Sequence, residues 1–179
     1  MTVRHIGCIS LLFCTTLLTR DTASYYLNHP AVRAFLDVIA YAEGTYGPDG
    51  YRMHFGGDLF DSFEDHPRIV IAAPSRGRQL CSSAAGRYHF LERTWDDLAL
   101  SIDARDFTPK NQDRAALEVI KTKGALGDIL NNNPEKAIMK LNRMWASFPG
   151  SPYGQPTKKL NELTTFFRSR LAHYRRILR

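Results

Sequence analysis

The sequence predicts an α+β fold that is mostly α, with one small β-hairpin lobe. Two observations carry this prediction. Apolar residues recur at helical spacing through five separated segments, and one stretch, Gly44 to Ser83, lacks that spacing and is rich in Gly, Pro and Asp. A third observation sets the scale: 179 residues with 44 % hydrophobic content suffice for one domain around a single core.

The chain opens on a short basic stretch, Met1 to His5. Ile6 to Leu18 is a mostly apolar run broken by Ser10, Thr15 and Thr16, and Thr22-Ala23-Ser24 offers small residues for cleavage. That is the layout of a secretory signal peptide, and the run is short for a transmembrane helix. Residues 1–24 are therefore expected to be a signal peptide or a signal-anchor-like extension, with the folded domain at 25–179. As an anchor, residues 6–18 would tether the protein transiently to a membrane.

The first helix of the domain starts at Asn28 to Pro30, where Asn28 or His29 supplies a cap and proline suits the first turn. Val32, Phe35, Leu36, Ile39 and Ala40 form its apolar stripe. Continuing that stripe by one turn reaches Glu43, and Gly44 follows as a helix terminator. A carboxylate at this position faces desolvation and the negative end of the helix dipole. Both disfavour its anion, the condition a general acid needs.

Between Gly44 and Ser83, Tyr51 to Phe55 alternates apolar and polar residues, and Arg68 to Ala72 is a short β-branched run. Together they predict a small hairpin lobe with long loops, forming one wall of a cleft beside Glu43. Helices resume with Leu91, Trp95, Leu98 and Ala99. Thr108-Pro109 and Asn133-Pro134 each open another, and the last runs from Lys158 to Leu178. Trp95 and Trp145 read as core.

A net charge of +6 suits a polyanionic partner without choosing between nucleic acid, anionic lipid and cell wall. The five arginines between Arg168 and Arg179 read as the solvated face of an amphipathic helix, so no nucleic acid is expected. Cys8, Cys14 and Cys81 show no Cys-x-x-Cys or other metal-ligand spacing, and neither metal nor cofactor is expected.

Eight short blocks stand in order between Val32 and Gln155. They are Ala42-Glu-Gly-Thr45, Gly56-Gly-Asp-Leu-Phe60, Asp65-His-Pro-Arg68, Ala85-Gly-Arg-Tyr88, Asp106 to Asp113, Lys123-Gly-Ala-Leu126, Trp145 to Gly150 and Tyr153-Gly-Gln155. Taken together they resemble the lysozyme-like lytic transglycosylases, and within them the lambda-type phage endolysins. The resemblance implies a lysozyme-like fold whose β lobe walls a saccharide cleft. It implies cleavage of the peptidoglycan glycan strand between N-acetylmuramic acid and N-acetylglucosamine without water, giving 1,6-anhydro ends. Glu43 matches the family's single catalytic acid. Tyr88 and Tyr153 match positions that line the saccharide groove. Arg87 would meet either a carboxylate of the lactyl group or peptide stem, or an internal acid. His89 stands where the family pattern usually has Gln. The substrate would be met by a monomer, in the periplasm or cell wall after export, or after release from the host cytoplasm during lysis.

Two other readings stay open at this level. A hydrolytic muramidase would need a second carboxylate, and Asp58, Asp61, Glu64 and Asp65 of the β lobe are the candidates, although Asp commonly caps turns. Asp58 is also carried as a substrate contact. A non-catalytic protein binding wall or nucleic acid would use the basic C-terminal helix.

Overall fold

The computed structural model describes residues 22–75 and 78–178. Residues 1–21, most of the segment expected to be a signal peptide or anchor, lie outside the described residues, and so do two of the three cysteines. Residues 22–27 are helical, and Ala23, Tyr26 and Leu27 already pack against the core.

Helix α1, Pro30–Glu43, is the centre of the molecule. His29 caps it, its Nδ1 accepting from the Ala31 amide at 3.2 Å, and Pro30 takes the first turn. The stripe residues Val32, Phe35, Leu36, Ile39 and Ala40 are all buried, and so are the intervening Ala34, Asp37 and Val38. The helix is thus wrapped on nearly all sides, more than its stripe alone predicts. Gly44 ends it at φ +79: its amide bonds the Tyr41 carbonyl at 3.3 Å, and Thr45 reaches back to Ala40 at 2.9 Å. This is a Schellman closure, which needs a residue that tolerates the left-handed region.

The remaining helices are α2 Glu92–Ser101, α3 Pro109–Thr122, α4 Leu126–Leu130, α5 Pro134–Leu141 and α6 Leu160–Ile177. Thr108 and Asn133 precede prolines as expected, but neither side chain makes a capping bond. Instead, the Asp106 carboxylate takes the Thr108 amide and the Asn111 side chain. Helix α6 lies along α1. The Phe35 ring meets Phe148 and Phe167 edge-on, with centroids 6.4 and 6.2 Å apart. Trp95 packs edge-on against Phe107 at 4.6 Å, and both Trp95 and Trp145 are core residues.

The β lobe is smaller and displaced from the expected strands. β1 (Ile71–Ser75) pairs antiparallel with β2 (Arg78–Ser82), in the register Ile71 with Ser82 and Ala73 with Leu80. The Tyr51 to Phe55 stretch contributes only isolated bridges, Met53 with Leu59 and His54 with Ala85, and begins as a 3-10 turn, Gly50–Arg52. Ile69 and Val70 lie outside the strand and are exposed. A strand forms where a partner can pair with it, so β-branched composition alone placed this one at Arg68 to Ala72 and not at Ile71–Ser75.

Candidate active site

A cleft of about 970 Å³ opens where the end of α1, the β hairpin and the segment 143–156 meet. Four of the eight sequence blocks contribute to its lining, although they lie far apart along the chain. Glu43 arrives on the last turn of α1 with its side chain only 13 % exposed. Ser147 Oγ donates to Glu43 Oε1 at 2.5 Å, and His89 Nδ1 stands 3.3 Å from Oε2. The carboxyl is therefore held at both oxygens, on an element whose end is locked by the Schellman closure. Met53, Ala73 and Leu80 of the β lobe add apolar surface to the lining.

His89 reaches Glu43 through an uncommon backbone conformation, φ +45. Such a conformation persists only when its surroundings over-determine it. Here, Ala85 and Phe90 bridge across the turn, and Trp145 Nε1 donates to the Tyr88 carbonyl at 3.0 Å. Gln112 completes the clasp: its Oε1 accepts the Arg87 amide at 2.8 Å, and its Nε2 donates to the Phe107 carbonyl at 2.8 Å. Gly86 sits under that clasp at φ +74, where a Cβ would run into the Gln112 amide and come within 2.8 Å of the Phe107 ring. No larger residue fits there.

The structure corrects three expected substrate contacts. Tyr88 does not line the cleft: it is 1 % exposed, and its hydroxyl donates to Asp113 Oδ1 at 2.6 Å. Burial pushes the Asp113 carboxyl above its ordinary range, while the hydroxyls of Tyr88 and Tyr51 pull it back. Arg87 is buried as well, and its partner is the internal acid. Its Nη2 donates to Asp37 Oδ1 at 2.7 Å, and Asp37 Oδ2 accepts from Arg170 Nε at 2.7 Å and from the Tyr174 hydroxyl at 3.0 Å. Asp58 is exposed and is not part of the cleft lining. Tyr153 does line it, with its hydroxyl donated to the Arg143 carbonyl at 2.7 Å.

The other β-lobe carboxylates are occupied elsewhere. Asp61 pairs with Arg52 at 3.3 Å, and Asp65 pairs with Arg68 at 2.6 Å while taking the His66 amide in a turn. Glu64 is exposed in the same turn region. Among the described residues, Glu43 is the only carboxylate in the cleft lining. No cluster of described residues could hold a metal ion.

Sequence reasoning passed over Ser147, Arg143, Gln112 and Asp37. Ser147 and Gln112 sit inside quoted blocks, so their positions were on view but not their roles. Asp37 had a signal of its own, an acid inside a helix whose neighbours are nearly all apolar.

The endolysin family model matches residues 33–174, which holds every group of this site. The endolysin of Escherichia phage lambda is 39 % identical over 142 residues, covering 76 % of this chain and 88 % of that one. The chain belongs to the endolysin family. The endolysin of Escherichia phage P2 is 35 % identical over 156 residues, covering 79 % of this chain and 93 % of its own. Bacteriophage lambda lysozyme, solved in complex with a chitohexasaccharide, superposes with a TM-score of 0.74 at 38 % identity, over 79 % of this chain and 94 % of that structure. The fold is thus lysozyme-like, and this endolysin-family protein is an enzyme, a peptidoglycan-degrading glycosidase.

Proposed function

We propose that this endolysin-family enzyme is a lytic transglycosylase, with Glu43 as its acid and then its base. The observation that carries the reading is the single carboxylate in the cleft lining. Hydrolytic glycosidases ordinarily place two carboxylates about the scissile bond, one as acid and one to activate water or attack the sugar. The β-lobe acids that would fill the second role are engaged or face solvent away from the cleft.

In the proposed sequence, protonated Glu43 gives its proton to the glycosidic oxygen as the bond from the muramoyl C1 breaks. The C6 hydroxyl of the same muramoyl unit attacks C1, and its proton passes to the Glu43 carboxylate. Glu43 ends as it began, and the product carries a 1,6-anhydro ring. A well-oriented internal nucleophile replaces a positioned water and supplies on the order of 7 to 11 kcal/mol of the barrier. The chitohexasaccharide complexed with lambda lysozyme supports an amino sugar strand as the substrate class. The substrate lies outside the cytoplasmic membrane, reached by export or by release at lysis. No helix among the described residues is long and apolar enough to cross a membrane.

Mass spectrometry of fragments released from purified peptidoglycan tests the reaction. Muropeptides lighter by one water than their hydrolysed counterparts, without a reducible end, are expected; reducing ends would make water the nucleophile. Glu43→Gln should fold normally and lose a hundredfold or more of the lytic rate, on the order of a general acid's contribution.

A further inference from the structure

We infer that Arg143 binds the carboxylate carried on the C3 branch of the muramoyl unit, and so distinguishes wall strands from neutral amino sugar polymers. The inference rests on the peptidoglycan reading above and names the part of the substrate that the cleft selects. The resemblance left Arg87 open between this contact and an internal acid, and the fold buries it against the internal acid Asp37. The cleft has a different cation. Arg143 is exposed and lines it, and no hydrogen bond, ion pair or ring contact from its guanidinium is found among the described residues. Most other arginines near the core or in the lobe are engaged: Arg52 with Asp61, Arg68 with Asp65 and Asp96, Arg170 with Asp37.

Position and support agree with this assignment. Arg143 lies four residues before Ser147, whose hydroxyl holds Glu43, and all three line the same cleft. The backbone at Arg143 is pinned, its carbonyl accepting the Tyr153 hydroxyl, while the neighbouring Asn142 reaches the Pro149 carbonyl at 3.5 Å. The only carboxylate in the described lining is Glu43, already held by Ser147 and His89. A guanidinium so placed presents a planar fork of donors suited to a carboxylate. The muramoyl unit whose bond breaks must sit at Glu43, so an acid on its C3 branch falls within the cleft that Arg143 lines. The acid is either the lactyl carboxylate itself or a carboxylate of the peptide attached to it.

The test compares wild type, Arg143→Gln and Arg143→Lys on three probes. These are soluble glycan strands with their peptides, the same strands stripped by an amidase to free the lactyl carboxylate, and chitohexasaccharide, which carries no carboxylate. Arg143→Gln should lower kcat/KM about tenfold or more on a muramoyl substrate, mainly through KM, as expected for one charge-assisted contact. Arg143→Lys should recover part of it, and the Kd for chitohexasaccharide should not move. Loss confined to the peptide-bearing strands assigns the stem carboxylate; loss on the stripped strands assigns the lactyl group. If Arg143→Gln matches wild type on both muramoyl strands, or weakens chitohexasaccharide equally, the inference is overturned. Wild-type protein that cleaves neither strand would overturn it together with the reading beneath it.

Discussion

Glu43 is gripped before any substrate arrives. Its two oxygens face different partners: a hydroxyl on the segment after α5, and an imidazole on the turn after β2. A carboxyl that must donate and then accept a proton along one line benefits from fixed orientation, because misplacement by an ångström is costly in rate. Ser147→Ala removes one of these holds while leaving the core untouched. It should lower kcat by about tenfold to a hundredfold, the range of a hydrogen bond to a charged group, with little change in unfolding midpoint. An unchanged kcat would mean that α1 and His89 alone orient the acid.

At the scale of elements, the β lobe is fastened to α2 by charge and to the core by a ring. Arg68 bridges Asp65, Glu92 and Asp96 at 2.6, 3.1 and 2.6 Å. Beside it His66 is 2 % exposed, with Nε2 2.9 Å from the Phe90 carbonyl, and its Nδ1 accepts the Arg68 amide at 3.1 Å. That pattern makes the ring neutral with the proton on Nε2. Burial lowers the His66 pKa below its ordinary value, and the Arg68 hydrogen bonds lower those of Asp65 and Asp96. All three groups therefore bind fewer protons folded than unfolded. The His66 contribution is complete above an unfolded pKa of about 6.5 and is lost as pH falls from there towards the folded value; the aspartates follow below about 3.9. Urea midpoints should drop between pH 7.5 and 5.5 in the wild type. In His66→Gln the midpoint should be lower at pH 7.5 and vary less over that interval. An equal pH slope in both proteins would remove His66 from the account.

For the whole molecule, Asp37 joins three parts that the chain keeps far apart: α1, the turn carrying His89, and α6. Arg87 and Arg170 both converge on it, and Arg87 also stacks over the Tyr51 ring at 5.1 Å. Removing the acid leaves a buried guanidinium unpaired, which typically costs about 3–5 kcal/mol. Asp37→Ala should therefore lower stability by that order in urea unfolding, and should slow catalysis too, since the displaced Arg87 adjoins the His89 turn. A destabilisation under about 1 kcal/mol would show that water can replace the pair. The basic run of α6 also belongs to this scale. Part of it is structural, with Arg170 on Asp37 and Arg168 on Glu135 at 3.0 Å, so its charge is not simply a free surface.

By itself the sequence determined most of the helices, the amphipathic character of α1, its closure at Gly44 and the place of Glu43 on its final turn. These follow from local periodicity and capping, which need only neighbours within a few residues. Tyr153 and the Trp145 block, quoted together in the sequence, line one cleft in the structure. Tertiary structure alone decided the strand register, because pairing depends on a partner strand. It alone decided that Tyr88 and Arg87 turn inward to Asp113 and Asp37, and that Ser147 and His89 meet Glu43. A tyrosine or an arginine has the same local preferences in a cleft as in a core. Which one it occupies is set by the buried acid that the fold brings to it from dozens of residues away.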